Sequence, residues 1–340
     1  MTDVVSWARG LADEVLFPAA GEVERAGRVP SGHLAALADA GLYGLTGPAD
    51  AGGLAADALT VQTVVELLAG GDLATTFVWL QHLGVVRLVA DAPGPLRAAH
   101  LEDLCAGRLR AGIALQAANR PGPPAVRARL DGGDVVLDGA VPWVTGWDHV
   151  DVVLVAARTA DDDVVLLLVD AVAGGTLAVR PQTTVAVTAS ATVDLTLRGH
   201  RVPAGRLVLQ VPFLRWRAGD QAGLRLNGSL ALGVAGRCAR SVRELAADRP
   251  ALGALAEALT RAVDDARRTL DTAAPAELPA ARAAASALAH RASGALVTAA
   301  GSAAIGAGHP AQRLAREALF LLVFGSRPAV RTALLDHLTP

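Results

Sequence analysis

The chain has 340 residues, of which 52% are hydrophobic and 19% are charged, and its formal net charge is −2 at pH 7. The high apolar content and low net charge exclude intrinsic disorder. Nucleic acid is not expected as a partner, because phosphate binding requires clustered positive charge and the chain has no basic block. The length is sufficient for two or three domains with a large core.

The cysteines and the apolar segments indicate a cytoplasmic protein. Cys105 and Cys238 lie far apart, so they predict neither a disulfide framework nor a cysteine-based metal site. Residues 1–9 lack the basic leader and apolar core of a signal peptide. The uncharged segment 292–308 is shorter than the roughly 20 residues that span a membrane, so we interpret it as a buried helix of small residues.

The chain begins with a helical pattern that extends to about residue 110. Ser31 follows a proline and is a candidate N-cap, with leucines after it at helical spacing. Asp72 is a second candidate N-cap, in front of a long apolar stretch that includes Phe77 and Val86. Between these helices, the glycine-rich residues 47–53 predict a loop.

A β pattern follows from residue 111 to residue 207. Short apolar runs at 134–137, 152–155 and 164–169 are separated by Asp-Gly, Asp-Asp and Gly-Gly turn signals. Residues 193–198 alternate between apolar and polar, as a half-exposed strand does. We expect the β region to end after this strand.

The helical pattern then returns and continues to the end of the chain. The predicted helices lie near residues 219–248, 251–274, 278–300 and 309–322, with a last short helix after Pro328. Helices, then strands, then helices predict an α+β fold and not the alternation of a Rossmann sheet. We therefore expect an N-terminal helical domain, a middle β-barrel or sandwich domain and a C-terminal helical bundle, at 1–110, 111–207 and 208–340.

No common catalytic motif is present. The eight histidines are scattered, without another ligand at metal-binding spacing, so no metal is expected. The serine-hydrolase elbow, the P-loop and the G-x-G-x-x-G motif are also missing. What remains is a series of short signals whose order along the chain is informative.

These signals resemble the acyl-CoA dehydrogenase family over nearly the whole chain. The stretch GLYGLTGPADAGGLAAD is similar to the family's proline-to-double-glycine loop, and VVLDGAVPWVTGWDHVD to its NGxKxWIT strand. ATVDLTLRGHRVPAGRL is similar to the last strand and exit of the family's β domain. DRPALG is similar to its Arg-x-x-Phe-Gly element, and the residues from Arg313 to Ser326 to its last helices.

The resemblance implies a flavoprotein that desaturates acyl thioesters between Cα and Cβ. It implies FAD between the β domain and the C-terminal bundle, a carboxylate that removes the α-proton, and an electron-transferring flavoprotein as electron acceptor. The matching cofactor-binding positions are Gln116, Trp143, Val144, Thr145, Arg249 and Ser326. Among these, Arg249 matches an arginine that reaches the FAD of a neighbouring subunit.

The sequence departs from the family at the catalytic base. The usual glutamate position is occupied by Phe324, which cannot accept a proton. Some members carry the base on an earlier helix, at a place close to Gly223 here. The nearest carboxylate to that place is Asp220, about one turn away, which makes it a weak candidate. At residues 298–302, the family's QxxGG element keeps only one glycine, Gly301.

Three hypotheses follow from this departure. The chain is a base-less FAD-binding subunit of a heteromeric acyl-CoA dehydrogenase, or a flavin monooxygenase-like enzyme of the same fold, or a non-redox scaffold with a decayed cofactor site. A conventional dehydrogenase with an unlocated base is also open. Under the first, the substrate is an acyl thioester of CoA or of a carrier protein, and the chain forms a dimer or tetramer with a paralogue or with itself.

Overall fold

Two helical regions flank one β-sheet. The structure is a computed structural model that describes residues 4–116, 118, 122–219, 223–325 and 327–339. The N-terminal helices are α1 (Val4–Gly10), α2 (Phe17–Ala26), α3 (Ser31–Asp39), α4 (Ala58–Gly71), α5 (Leu73–Ala90) and α6 (Gly94–Cys105). A π-helical turn, Leu11–Leu16, joins α1 to α2.

One of the two predicted helix caps is confirmed. The carboxylate of Asp72 accepts hydrogen bonds from the backbone N–H groups of Ala74 and Thr75, at 3.3 and 3.1 Å, and so caps α5. The prediction for Ser31 is wrong, because Ser31 is already the first residue of α3. The N-cap is Pro30, whose backbone is extended and whose side chain makes no cap hydrogen bond.

The sheet contains the strands β1 (Ala111–Ala114), β2 (Val126–Asp131), β3 (Asp134–Val144), β4 (Val152–Arg158), β5 (Asp163–Asp170), β6 (Leu177–Pro181), β7 (Val193–Pro203) and β8 (Leu207–Pro212). Their order is β6-β7-β3-β2-β4-β5-β8, and β1 pairs in parallel with β4. The four predicted strands are confirmed within β3, β4, β5 and β7. The strand β8, which pairs with β5, was not predicted.

The strands β4 and β5 contain continuous apolar runs because both faces of the sheet are covered there. In β4 and β5, six consecutive residues are buried. Val153, Val155 and Leu167 pack into a core on one face, whereas Leu154 and Leu166 pack with α5 and α6 on the other. This double burial explains the continuous apolar runs in the sequence.

The C-terminal helices are α7 (Phe213–Ala218), α8 (Leu224–Ala246), α9 (Gly253–Thr272), α10 (Leu278–Ala300), α11 (Pro310–Val323) and α12 (Pro328–Leu338). The predicted helices are confirmed as α8 to α12, with ends within about five residues, whereas α7 was not predicted. The interpretation of 292–308 as one buried helix is wrong. The helix α10 ends before Gly301, whose φ is +69°, and a mostly exposed 3-10 turn, Gly301–Ile305, follows. Among the described helices, α5 is long and apolar enough to cross a membrane, but 78% of it is buried, as in a core helix.

The helices α4 and α8 cross at glycines. A Cβ atom on Gly233 would lie 2.3 Å from the carbonyl oxygen of Glu66 and 2.9 Å from Cβ of Ala69. We expect Gly233→Ala to lower the free energy of unfolding by about 1 to 3 kcal/mol, because the two backbones must separate.

A matched control for this substitution lies one turn further along α8. A Cβ atom on Gly236 would have no neighbour within 4 Å. Gly236→Ala should therefore be neutral, or stabilising by up to about 1 kcal/mol from helix propensity. Chemical denaturation of both variants tests whether the backbones of α4 and α8 touch at Gly233. Equal changes in the free energy of unfolding for the two variants would contradict this contact.

Candidate functional site

A bulge at the end of β3 turns one tryptophan outwards. The register between β3 and β7 shifts between Val141 and Val144, and both of these valines are fully buried. Trp143 between them has a φ of +62° and leaves 56% of its surface exposed. Bulges of this kind re-aim a side chain, and a left-handed non-glycine residue costs roughly 1–2 kcal/mol. An exposed indole is therefore held in place by the fold.

The turn that follows β3 is hydrogen-bonded to the loop at residues 187–191, whose backbone has unusual dihedral angles. The N–H of Gly146 donates to the carbonyl of Ser190 at 2.8 Å, and that of Trp147 to the carbonyl of Ala191 at 3.1 Å. Val187 and Ala191, which flank the 3-10 turn Thr188–Ser190, both have positive φ, at +47° and +45°. Backbone strain of this kind collects at functional sites.

Three hydroxyl groups meet between these two loops. Thr145 is 4% exposed, and its Oγ1 lies 3.5 Å from Oγ1 of Thr192, which is 2.8 Å from Oγ of Ser190. The sequence analysis predicted Thr145 and missed Ser190 and Thr192. The only sequence signal for them is a polar pair just before an alternating strand, which is too common to be specific.

The helix α5 connects this turn to the C-terminal bundle. Val78 packs against the turn, since its Cγ1 would lie 3.3 Å from a Cβ atom on Gly146. The ring of the preceding residue, Phe77, contacts the rings of Phe320 and Phe324 edge-on, with centroids 5.0 and 4.8 Å apart. Phe320 and Phe324 stack on each other at 5.3 Å. Phe324 therefore lies in an aromatic cluster formed by Phe77, Phe320 and Phe324.

A buried arginine lies beneath this aromatic cluster. Arg282 is 2% exposed, and its Nη2 lies 3.5 Å from the carbonyl oxygens of Leu321 and Phe324, at the end of α11. The hydroxyl of Ser286 links the two elements, because it accepts a hydrogen bond from Arg282 and donates one to the carbonyl of Leu321. Burial lowers the pKa of Arg282 to about 10. The cation therefore compensates the unpaired carbonyl groups of a helix C-terminus.

None of the described acidic residues occupies the family's catalytic position at 324 or 223. Asp220 and Ser326 lie outside the described residues, and Gly223 has no side chain. The nearest acidic residue on α11 is Glu317, seven positions before Phe324 and therefore about 10 Å away along the helix. It is 3% exposed and pairs with Arg313 at 2.5 Å, and burial raises its pKa to about 7.

The other predicted cofactor residues are placed as follows. Gln116 is exposed, two residues after β1, and β1 approaches the turn at Thr145. Val144 is fully buried, so only its backbone is available to a ligand. Arg249 donates to the carbonyl of Ala299 at 2.6 Å, at the C-terminal end of α10. Arg282, which lies next to the aromatic cluster, is 17 residues before Ala299 on α10, a distance of about 25 Å along the helix. Arg249, at Ala299, is therefore about 25 Å from the aromatic cluster of its own chain.

A pocket of about 500 Å³ lies beside the tryptophan, on the outer face of β3, β6 and β7. Its floor is made of the small side chains of Ala140, Ala178 and Thr196. Arg180 and Asp194 form an ion pair at its rim, and the carboxylate of Asp194 also accepts from the N–H of Trp143 at 3.3 Å. No group of three or more potential metal ligands occurs among the residues that the structure describes.

Comparisons with known proteins agree with this architecture. Residues 2–108 match the family model described as acyl-CoA dehydrogenase, N-terminal domain. A probable acyl-CoA dehydrogenase of Mycobacterium leprae, fadE25, is 30% identical over 141 residues, which are 40% of this chain. The match spans only 36% of that protein's length.

Solved structures share the fold over almost the entire chain. The glutaryl-CoA dehydrogenase of Mycobacterium smegmatis in complex with FADH2 has a TM-score of 0.84 and 18% identity, and the match covers 99% of this chain and 94% of that one. FkbI, for biosynthesis of a methoxymalonyl extender unit, has a TM-score of 0.82 and 20% identity over 98% and 99% of the two chains. Residues 2–108 therefore belong to the acyl-CoA dehydrogenase N-terminal domain family, and the chain as a whole has the fold of the solved acyl-CoA dehydrogenases.

Proposed function

We propose that this chain is a base-less, FAD-binding subunit of a heteromeric acyl-CoA dehydrogenase that desaturates an acyl thioester. The observation that carries the proposal is the aromatic cluster. The position where the family resemblance expects a glutamate is occupied by Phe324, in contact with two further phenyl rings. A benzyl group cannot remove an α-proton, so we assign the base to another chain of the assembly.

The residues at the end of β3 fit the ring system of a flavin. An isoalloxazine requires a flat apolar wall and nearby polar groups. The exposed indole of Trp143 supplies such a wall, and the Thr145 hydroxyl lies two residues away. We assign Arg249 to the diphosphate of the FAD of a neighbouring subunit, because Arg249 lies far from the aromatic cluster of its own chain. Gln116 and Ser326 are proposed as further FAD contacts because they match cofactor-binding positions of the family.

The chemistry divides between the cofactor, the partner and this chain. FAD held by this chain would supply a hydride acceptor for the substrate Cβ, and an electron-transferring flavoprotein would be the electron acceptor. This chain would hold the ring against Trp143 and keep water out with the phenyl rings of the aromatic cluster.

Its two cysteines are buried free thiols, which is compatible with a reducing cytoplasm.

The proposal is tested by purification of the chain alone and together with a longer paralogue that carries an intact Glu-Gly-Thr motif. We expect flavin in the complex, and acyl-CoA desaturation only in the complex. Exchange of the paralogue's glutamate for glutamine should abolish the activity. Activity of the isolated chain, or of the complex after that exchange, would contradict the proposal.

A substitution within this chain provides a second test. Phe324→Glu places a carboxylate where the family resemblance expects the base, and we expect desaturase activity at least tenfold above that of the unaltered chain. Phe320→Glu is the matched control, since it adds the same charge to the same aromatic cluster one turn earlier. Equal rates for the two variants would show that position 324 does not face the substrate.

The monooxygenase-like function is the second candidate. The phenylalanine at position 324 favours it, because oxygen activation at a flavin requires no base for an α-proton. The discriminating measurement is oxygen consumption by the purified chain with a supply of reduced flavin. A colourless protein that binds no added FAD would instead support the non-redox scaffold.

A further inference from the structure

A second pocket, of about 150 Å³, opens where α4, α8 and α9 meet. We name it the α8 arginine pocket, and its charged lining residues are Glu66, Arg240, Arg243, Asp264 and Arg267. Gly236 lies on its wall, and a Cβ atom there would have no neighbour within 4 Å. The pocket is therefore empty space of a size that would hold roughly five water molecules or one tetrahedral oxyanion.

Both acidic residues of the pocket contact one of its three arginines, and the five charged side chains of the lining sum to a net charge of +1. Nε of Arg267 donates to the carboxylate oxygens of Glu66 at 3.1 and 3.2 Å, and its Nη1 donates to Asp264 at 2.6 Å. Both acidic residues of the lining are thus held by one arginine. They leave the other two arginines without a carboxylate from the pocket.

Arg240 and Arg243 are those two arginines, and they lie one turn apart on α8. Nη2 of Arg243 donates to the Thr260 hydroxyl at 2.7 Å, and no carboxylate of the described residues lies within ion-pair distance of it. Within the described ranges, the ion-pair partner of Arg240 is Asp13, at 3.6 Å, and that carboxylate is in closer contact with Arg237.

The arrangement leaves a hydrogen-bond donor unused. The buried Nε of Arg240 has no hydrogen-bond partner in the part of the chain that the structure describes. Like charges at this helical spacing repel each other, and a buried N–H without an acceptor is costly. An anion in the pocket would relieve both costs.

We propose that the α8 arginine pocket binds a phosphate-sized oxyanion, either free orthophosphate or the phosphate group of a larger molecule. Arg240 and Arg243 provide the charge and the donors, while the Thr260 hydroxyl, which donates to the carbonyl of Ala256 at 2.8 Å, accepts from Arg243. Arginine is suited to this task because its planar group donates in a fork to phosphate oxygens. The site lies on the helical bundle and does not depend on the flavin assignment.

The test is binding of sodium phosphate to the purified full chain, by calorimetry and by thermal unfolding. Sodium chloride at the same ionic strength is the reference. We expect the midpoint of unfolding to rise with phosphate concentration beyond the chloride reference, because the anion binds the folded state. A nucleoside monophosphate that binds more than tenfold more tightly than orthophosphate would identify an attached phosphate as the ligand.

Variants locate the binding to this pocket. Arg243→Gln, at an exposed position, should weaken phosphate binding by about tenfold or more. Gly236→Glu puts a carboxylate on the pocket wall one turn before Arg240, and we expect it to raise the unfolding midpoint and abolish the phosphate response. Gly294→Glu, at an exposed glycine of α10, is the matched control and should leave the response intact. Phosphate binding that equals the chloride reference, or that persists in Gly236→Glu, would overturn the proposal.

Discussion

Replacement of Arg313 with methionine is expected to lower the free energy of unfolding by about 3 to 5 kcal/mol. Arg313 and Glu317 are 3% exposed each and pair at 2.5 Å on α11. Removal of one partner leaves the other as an uncompensated buried charge, which is the costly case for a buried ion pair. Oε2 of Glu317 already lacks a hydrogen-bond partner among the described residues, so no neighbour can replace the arginine.

The double substitution Arg313→Met with Glu317→Met is the control for this prediction. Because both charges are removed and the volume is filled, we expect a stability within about 1 or 2 kcal/mol of the unaltered protein. Denaturant unfolding of the two single variants and the double variant closes the cycle. A double variant as unstable as Arg313→Met would mean that packing, and not the unpaired charge, causes the loss.

The same pair predicts a dependence of stability on pH. Burial raises the pKa of Glu317 to about 7 in the folded state, against the attraction of Arg313, and Asp72 from the α4–α5 junction and Glu24 from α2 raise it further. The folded protein therefore binds more protons than the unfolded chain between about pH 4.5 and 7. Stability from this group falls as the pH rises through that window. Glu317→Gln should flatten this part of the profile, and an unchanged slope would contradict the assignment.

Replacement of Trp143 with alanine is expected to weaken FAD binding by more than tenfold, on the proposed cofactor assignment. The indole is the large exposed apolar surface at the end of β3, and it has the area to support one face of the ring. Because more than half of the side chain is exposed, its loss should change the unfolding midpoint little. Fluorescence titration of the purified chain with FAD measures the affinity.

Two further variants separate a specific contact from a general loss of aromatic surface. Trp7, on α1, is exposed to nearly the same extent as Trp143, 57% against 56%, so Trp7→Ala is a matched control that should bind FAD normally. Trp143→Phe should retain most of the affinity because a flat ring remains. If Trp143→Ala also bound FAD normally, the ring would have to bind elsewhere.

Elements whose signals are local were predictable from the sequence. Asp72 caps α5 because its carboxylate reaches N–H groups two and three residues ahead, which requires no other part of the protein. The helix α10 and the strands β4 and β5 are recognisable for the same reason, since apolar spacing and turn residues operate over short distances. Even the failed cap at Ser31 was displaced by only one residue.

The functional features depend on contacts between distant segments. The exposure of Trp143 follows from a bulge that exists only where β3 meets β7, and Ser190 and Thr192 join Thr145 only because a turn from residue 188 folds against β3. Arg313 and Glu317 have the spacing of an ordinary surface ion pair, yet the structure buries both.

The sequence by itself determined the order of helices and strands, the family resemblance and the phenylalanine at position 324. Only the tertiary structure decided that Phe324 stacks in an aromatic cluster, that Arg313 and Glu317 face the core, and that Arg240 and Arg243 line a pocket. The physical reason is that a pattern along the chain reports which face of an element is apolar. Burial and the strength of a charge depend on which faces meet.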